Sequence, residues 1–251
     1  MSNLVGRTAI VTGGGTGIGR GIALALAKAG ANLVLCGRTA STLRATVGEI
    51  ESRGGVGLDV VCDITVAGDR ERLVAAALER FGSIDILANN AALIARGTPL
   101  EVDDDLIRAA MEAGPIAALQ LMRLCHPHLR NGGAIVNVSS GAAIEARVPL
   151  RGIYAATKAA LNAISRTAAN EWGADGIRVN VIMPIARTEP LEQFLANEPE
   201  AAAAITGRTA LGRIGDCEQD IGRAVAFLVG PDAGYITGAT IPLDGGTGYI
   251  R

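Results

Sequence analysis

A run of glycines between an apolar strand and an apolar helix constrains the fold more than any other feature of the sequence. The β-branched run "TAIVT" (8–12) is followed by the glycines at 13, 17 and 19, with the spacing G-x-x-x-G-x-G. A helical apolar pattern then covers residues 18–29. A glycine turn between strand and helix exposes backbone N–H groups at the positive end of the helix, where a pyrophosphate binds. The turn therefore predicts a dinucleotide-binding α/β fold.

The alternation of strand and helix continues along the chain. Short apolar runs without in/out alternation are each followed by a longer helical pattern, which is typical of a parallel sheet covered on both faces. The predicted strands lie at 8–12, 32–36, 57–62, 84–89, 134–139, 177–182 and 239–243. The predicted helices lie at 18–29, 41–53, 67–81, 100–130, 153–173 and 217–229. We expect one α/β domain over residues 1–251.

The segment 184–210, "PIARTEPLEQFLANEPEAAAAITGRTA", breaks this alternation. It is too long for an ordinary connection between two elements of a compact domain. Long surface segments of this kind often bind ligands. We expect it to form a lid over the substrate.

Charge and composition exclude several classes of protein. The net charge is −2 with acids and bases mixed, so the sequence predicts neither nucleic-acid nor membrane-surface binding. No apolar run reaches the length of a secretory signal or a membrane span. The cysteines lack CxxC spacing, and His126 and His128 lack further ligands, so no disulfide framework or metal site is predicted. A cytoplasmic enzyme is expected.

The end of the second strand indicates which dinucleotide binds. In "CGRT", Gly37 stands where an acidic residue would accept hydrogen bonds from the adenine ribose of NAD. Arg38 follows and can present its guanidinium to a 2′-phosphate. The alternative is an arginine that is simply solvated. We expect NADP(H) to be favoured over NAD(H).

The stretch "YAATK" (154–158) places a tyrosine and a lysine on one helix face, because residues i and i+4 are neighbours there. The pKa of a free tyrosine is about 10, and bringing it near neutrality requires roughly 4 kcal/mol. A cation ~4 Å away at an effective dielectric of ~20 supplies about that much. Ser140, at the end of the fifth strand, can offer its hydroxyl to the same oxygen. The pattern predicts an acid/base tyrosine; the alternative is a helix surface that happens to carry both residues.

Six motifs occur in a specific order: "TGGGTGIG", "CDIT", "NNAA", "NVSS", "YAATK" and "VNVIMP". With them the chain resembles the short-chain dehydrogenase/reductase family, from about residue 5 to "PLDGG" near 246. The resemblance implies a Rossmann-type, doubly wound sheet of seven parallel strands. It also implies reversible hydride transfer between NAD(P)(H) and a carbonyl or alcohol, in a homotetramer or homodimer.

The resemblance also implies roles for individual residues. Tyr154 would be the catalytic acid/base, Lys158 its partner that also touches the nicotinamide ribose, and Ser140 the residue that holds the substrate oxygen. Together with Arg38, the expected cofactor contacts are Gly13, Thr16, Gly17, Ile18, Gly19, Asp63, Asn89, Ala91, Tyr154, Lys158, Pro184 and Thr188.

The sequence departs from the family pattern in the long central helix. Met111 stands where the family usually has an asparagine that holds a water leading to the lysine, and methionine cannot organise such a relay. Glu112 is one residue away, roughly 100° around a regular helix, so it is not predicted to replace the asparagine.

The expected substrate pocket is almost entirely aliphatic, with candidate positions Ile94, Ile144, Val148, Leu150, Leu191, Phe194 and Leu195. We therefore expect a hydrophobic or cyclic ketone or alcohol as substrate. Two alternatives remain open. One is a non-catalytic or regulatory nucleotide-binding protein of the same fold, and the other is an enzyme that uses the fold for an epimerase- or dehydratase-like step.

Overall fold

The computed structural model describes residues 3–145, 150–198 and 206–248. Seven strands, all paired in parallel, form one sheet in the order β3-β2-β1-β4-β5-β6-β7. The strands are β1 (Thr8–Thr12), β2 (Asn32–Gly37), β3 (Val56–Val61), β4 (Ile86–Asn89), β5 (Ala134–Val138), β6 (Arg178–Pro184) and β7 (Thr240–Leu243). The chain winds in opposite directions from β1, so the sheet is the doubly wound, Rossmann-type sheet that was predicted.

Helices cover both faces of this sheet. The helices are α1 (Gly17–Lys28), α2 (Ala40–Ser52), α3 (Ala67–Phe81), α4 (Asp104–Met111), α5 (Ala117–Leu129), α6 (Gly152–Trp172), α7 (Glu189–Asn197) and α8 (Arg223–Val229). One hydrophobic core lies under α1, α2 and α8, and the other lies under α3 and α5. Along β1, Ala9 and Val11 enter the first core while Ile10 enters the second. This two-sided burial explains why the strands read as continuous apolar runs.

The helix predicted over 100–130 is wrong as a single element. Asp103 caps α4 by accepting hydrogen bonds from the N–H groups of the next turn, so the helix begins only after it. The π-helical turn Glu112–Ile116 then separates α4 from α5. Gly114 has non-helical backbone angles there (φ −106°, ψ −107°), and Pro115 follows it without an N–H group. The glycine permits this kink, and the proline removes a helical hydrogen bond.

Two backbone segments from distant parts of the chain touch beside the glycine turn. Gly21 of α1 packs on the π-helical turn Cys217–Gly222, and a Cβ at Gly21 would lie 2.3 Å from the Cys217 carbonyl oxygen. A Cβ at Gly222 would lie 2.4 Å from the Gly21 carbonyl oxygen. Only glycine at both positions permits this approach.

The expected lid, 184–210, is partly helical. Pro184 ends β6, and α7 occupies the middle of the segment. Residues 199–205 of the lid lie outside the described residues. In the parts of the chain that the structure describes, no helix is both long enough and apolar enough to cross a bilayer.

Candidate active site

A cavity of about 750 Å³ lies at the carboxyl ends of β1, β2, β3 and β4. This is the edge of a doubly wound sheet where ligands bind, next to the point at which the strand order reverses. Eight of the residues predicted to contact the cofactor line it: Gly13, Thr16, Gly17, Ile18, Arg38, Asp63, Ala91 and Thr188.

The glycine turn at this cavity has the shape needed for a pyrophosphate. Gly13 (φ +65°) and Gly17 (φ +50°) have left-handed backbones that favour glycine. A Cβ at Gly19 would lie only 2.1 Å from the Gly13 carbonyl oxygen, so glycine is needed for α1 to begin this close to β1. A Cβ at Gly17 would lie 3.1 Å from Thr188, which brings the start of the expected lid against the turn. The bare backbone at the start of a helix fits a dinucleotide phosphate.

A small hydrogen-bond network fixes the turn, and sequence reasoning missed it. The Thr12 hydroxyl accepts hydrogen bonds from the N–H groups of Asn90 and Ala91, both at 2.9 Å. The Asn90 side chain donates to the Thr12 carbonyl oxygen at 3.0 Å. These bonds tie the end of β1 to the segment after β4. The repeated asparagine in "NNAA" was the available signal, but sequence reasoning selected Asn89.

Arg38 and Asp63 face the same part of the cavity. Asp63 accepts hydrogen bonds from the N–H and hydroxyl of Thr65, at 2.9 and 2.7 Å, and these lower the pKa of its carboxyl group. The Arg38 guanidinium adds a smaller electrostatic lowering of that pKa. Arg38 itself is exposed at the cavity rim, directly before the start of α2. An exposed cation beside a helix N-terminus fits a phosphate group.

Five predicted cofactor residues, Gly19, Asn89, Tyr154, Lys158 and Pro184, do not line this cavity. The Asn89 side chain is buried and donates to Asn137 at 2.8 Å. Asn137 in turn donates to the Ser165 hydroxyl at 2.8 Å. This buried polar chain joins β4, β5 and α6, so the side chain of Asn89 helps to hold α6 against the sheet.

Ser140 and Tyr154 come together at the carboxyl end of β5. The Ser140 oxygen accepts a hydrogen bond from the N–H of Ala142 at 3.2 Å, which leaves its own proton for Tyr154. Burial raises the pKa of Tyr154, whereas the hydrogen bond from Ser140 and the charge of Arg151 lower it. The net pKa is raised, so Tyr154 holds its proton at neutral pH.

Lys158 is buried beneath the tyrosine, with 4% of its surface exposed. Its ammonium donates to the Val138 carbonyl oxygen at 2.7 Å and lies 5.6 Å from the centre of the Tyr154 ring. Burial lowers the pKa of Lys158 to about 8. The expectation that this cation lowers the pKa of Tyr154 is not met, because the ammonium is directed at a backbone carbonyl. Ser140 and Arg151 have that effect instead.

The buried lysine makes stability depend on pH. The pKa of Lys158 is about 8 in the folded chain and 10.5 ordinarily, so between these values the unfolded chain binds more protons and stability rises with pH. Relative to Lys158→Met, the wild type should gain about 1.5 kcal/mol in free energy of unfolding from about pH 8 to about pH 9.5. Urea unfolding of both proteins without cofactor measures this. If the free energies of unfolding of the two proteins changed with pH in parallel, Lys158 would have its ordinary pKa in the folded chain.

Next to Met111, where the sequence departs from the family pattern, the structure places a carboxylate at the cavity. Met111 ends α4, and the π-helical turn begins at Glu112. Glu112 lines the cavity together with Ala109 and Ala113. A regular helix would rotate Glu112 about 100° from Met111, and the change to π-helical geometry alters which residues share a face. The local "GP" was the only sequence signal for this change.

A second cleft, of about 320 Å³, lies at the start of α6, where its lining includes Ala155, the residue after Tyr154. It is lined by Ala142, Ala143, Ile144, Glu145, Arg151, Gly152 and Ala155. Among the seven predicted substrate-pocket positions, only Ile144 lines it. Val148 and the side chain of Phe194 lie outside the described residues. Ile94 and Leu150 are half exposed, and Leu191 and Leu195 lie on α7.

This cleft differs from the aliphatic pocket that was expected, because it contains the charged residues Glu145 and Arg151. Sequence reasoning missed Arg151, which stands three residues before Tyr154 and directly precedes α6. Within the described ranges, no group of three or more His, Cys, Asp or Glu residues could hold a metal ion.

Comparisons with known proteins agree with this geometry. The family model described as Enoyl-(Acyl carrier protein) reductase matches residues 13–248. A 12alpha-hydroxysteroid dehydrogenase of Clostridium sp. is 41% identical, over 97% of this chain and 97% of that protein. A tropinone reductase homologue of Arabidopsis thaliana is 37% identical, over 97% of this chain and 93% of that protein.

Solved structures of dehydrogenases are also similar to this chain. A dehydrogenase/reductase of Sinorhizobium meliloti superimposes with a TM-score of 0.92 at 32% identity, over 98% of this chain and 97% of that one. A short chain dehydrogenase of Burkholderia cenocepacia in complex with NADP superimposes with a TM-score of 0.89 at 32% identity, over 98% and 99% of the two chains. Fold, site and relatives lead to one conclusion: this chain is a member of the short-chain dehydrogenase/reductase family, a family of NAD(P)-dependent oxidoreductases.

Proposed function

We propose that this protein is an NADP(H)-dependent oxidoreductase that interconverts a carbonyl and an alcohol on a hydrophobic or cyclic small molecule. The observation that carries the proposal is the meeting of Ser140 and Tyr154 beside the buried Lys158, next in the chain to residues that line a separate cleft. A relative that is named a hydroxysteroid dehydrogenase supports an alcohol on a fused-ring skeleton as the kind of substrate.

The dinucleotide, when bound, supplies a hydride to the carbonyl carbon or accepts one from the alcohol carbon. The chain supplies the proton and holds the oxygen. The Ser140 hydroxyl donates a hydrogen bond to the substrate oxygen, in the manner of an oxyanion donor. The Tyr154 hydroxyl gives its proton to that oxygen during reduction and takes it back during oxidation.

The environment of Tyr154 suits the direction of reduction. Burial raises the pKa of Tyr154, so the residue is protonated and ready to act as an acid at neutral pH. Lys158, with a pKa of about 8, still carries most of its charge there. We infer that its ammonium exchanges the Val138 carbonyl for a ribose hydroxyl when the dinucleotide binds.

The preference for NADP(H) rests on the second strand. Gly37 places no carboxylate at the ribose, and Arg38 is exposed at the cavity rim beside the start of α2. A guanidinium there stabilises a 2′-phosphate by a charge-assisted hydrogen bond. A structurally similar dehydrogenase was solved with NADP, which supports the assignment. The homotetramer or homodimer and the cytoplasmic location stay predictions.

Oxidation of NADPH in the presence of a panel of carbonyl compounds tests the proposal. We expect consumption of NADPH with hydrophobic or cyclic ketones, and a fluorescence titration should show NADPH binding in their absence. Tight NADPH binding with no consumption of NADPH across the panel would favour the regulatory alternative. Conversion of a substrate at constant NADPH concentration would favour an epimerase- or dehydratase-like step.

A further inference from the structure

The cleft beside Tyr154 contains two side chains of opposite charge that are not paired with each other. Glu145 forms an ion pair with the Arg208 guanidinium at 3.2 Å, which compensates the charge of its carboxylate. In the described parts of the chain, Arg151 takes part in no ion pair and donates no side-chain hydrogen bond. Among the described residues that line the cleft, Arg151 is therefore the one charged side chain without a partner of opposite charge.

Arg151 also stands next to the reacting group. It precedes Tyr154 by three residues at the start of α6, and Ala155, one turn later, lines the same cleft. Its charge is close enough to lower the pKa of Tyr154. Arg151 is half-buried, and the rest of the lining is small or apolar. A half-buried guanidinium has lost part of its hydration, and Arg151 has no ion-pair partner among the described residues. This is unfavourable unless a ligand supplies a group of opposite charge.

We propose that the substrate carries a carboxylate and that Arg151 binds it while the carbonyl lies against Ser140 and Tyr154. This inference rests on the proposed function and narrows its substrate to a keto or hydroxy acid. The planar fork of a guanidinium matches a carboxylate with two parallel hydrogen bonds. A dianion such as a phosphate is less suitable, because one cation would leave a negative charge uncompensated beside apolar side chains.

Binding of an acid substrate would also raise the pKa of Tyr154. A carboxylate paired with Arg151 cancels the positive charge that lowers the pKa of Tyr154. The group that donates the proton would therefore hold it to a higher pH with an anionic substrate than with a neutral one. The alkaline limb of the pH–rate profile should move upward for the acid substrate.

The test compares cyclic keto acids with their methyl esters, with the carboxylate on the ring or on a short side chain. The acid and the ester of each pair share the same ring skeleton and the same reacting carbonyl, and they differ in charge. We expect the wild type to show a KM about tenfold lower for the best acid than for its ester. Arg151→Gln should remove this difference, so that acid and ester have similar KM values. Arg151→Lys should keep part of it.

Arg166→Gln is the matched control, because Arg166 is exposed on the same helix, about four turns from Arg151. It should leave the preference for acids intact. Equal KM values for acid and ester in the wild type, or a preference that persists in Arg151→Gln, would overturn the inference while reduction of the esters upheld the proposed function. Thermal melts show whether Arg151→Gln is folded, and Arg151→Lys tests the charge if it is not.

A binding measurement separates the two proposals if no compound in the set is reduced. Cyclohexanecarboxylate, which has no carbonyl on its ring, should perturb the fluorescence of the NADPH complex of the wild type and do so about tenfold more weakly with Arg151→Gln. That result without any turnover would uphold the carboxylate site and refute the oxidoreductase function. No difference between the two proteins would refute the site.

Discussion

Replacing Tyr154 by phenylalanine should lower kcat for carbonyl reduction by about 10²–10⁴-fold while NADPH still binds. The phenyl ring keeps the packing of Tyr154 and its position 5.6 Å from the Lys158 ammonium. What is lost is the one hydroxyl that Ser140 holds and that can give a proton to the substrate oxygen. Steady-state rates of NADPH oxidation and a fluorescence titration with NADPH measure the two halves of this prediction.

The chain provides a matched control for that experiment. Tyr235 is fully exposed, so Tyr235→Phe makes the same chemical change away from the candidate site. It should leave both kcat and NADPH affinity unaltered. If Tyr154→Phe kept most of the wild-type rate, another group would have to be the acid, and the proposed roles of Ser140 and Tyr154 would be wrong.

Replacing Arg38 by alanine should weaken NADPH binding by about tenfold to a hundredfold and leave NADH binding unchanged. A charge-assisted hydrogen bond contributes about 1.5–3 kcal/mol, and only NADPH has the phosphate that can accept it. The loss should shrink at high ionic strength, because Arg38 is exposed and salt screens such contacts. Fluorescence titrations with both dinucleotides at two salt concentrations measure it.

Arg44→Ala controls for the general loss of positive charge. Arg44 is exposed on α2, beyond the residues that line the cavity. It should affect NADPH and NADH equally and weakly. If the wild type bound both dinucleotides with equal affinity, Arg38 would be a solvated surface residue, and the preference for NADP(H) would be refuted.

The sheet could be predicted from the sequence because its strands are buried on both faces. The continuous apolar runs placed all seven strands to within two residues at either end. The break in the long helix was missed because helical periodicity continues on both sides of Glu112–Ile116 and only the adjacent Gly114 and Pro115 signal it. The kink depends on the backbone of Gly114, which packs beside Thr157 of α6, a contact between residues far apart in the sequence.

In the candidate site too, some residues could be predicted from the sequence and others could not. Gly13, Gly17 and Tyr154 could be found because each belongs to a local pattern of a few residues. The side chain of Asn89 could not be placed, because its partner Asn137 is on another strand. Arg151 was missed for a different reason: its significance depends on Glu145 being paired with Arg208, which no local pattern reveals.

The backbone contact between Gly21 and Gly222 has a consequence for how the chain is synthesised. The helix that begins at the dinucleotide turn leaves the ribosome long before the turn Cys217–Gly222 on which it rests. Until then, the apolar side of α1 has no cover from that side, and a partly made chain exposes it. Closing a contact between residues so far apart in sequence is slow. The nascent protein is therefore expected to need protection from aggregation until the turn Cys217–Gly222 has been made, and to become able to bind nucleotide only then.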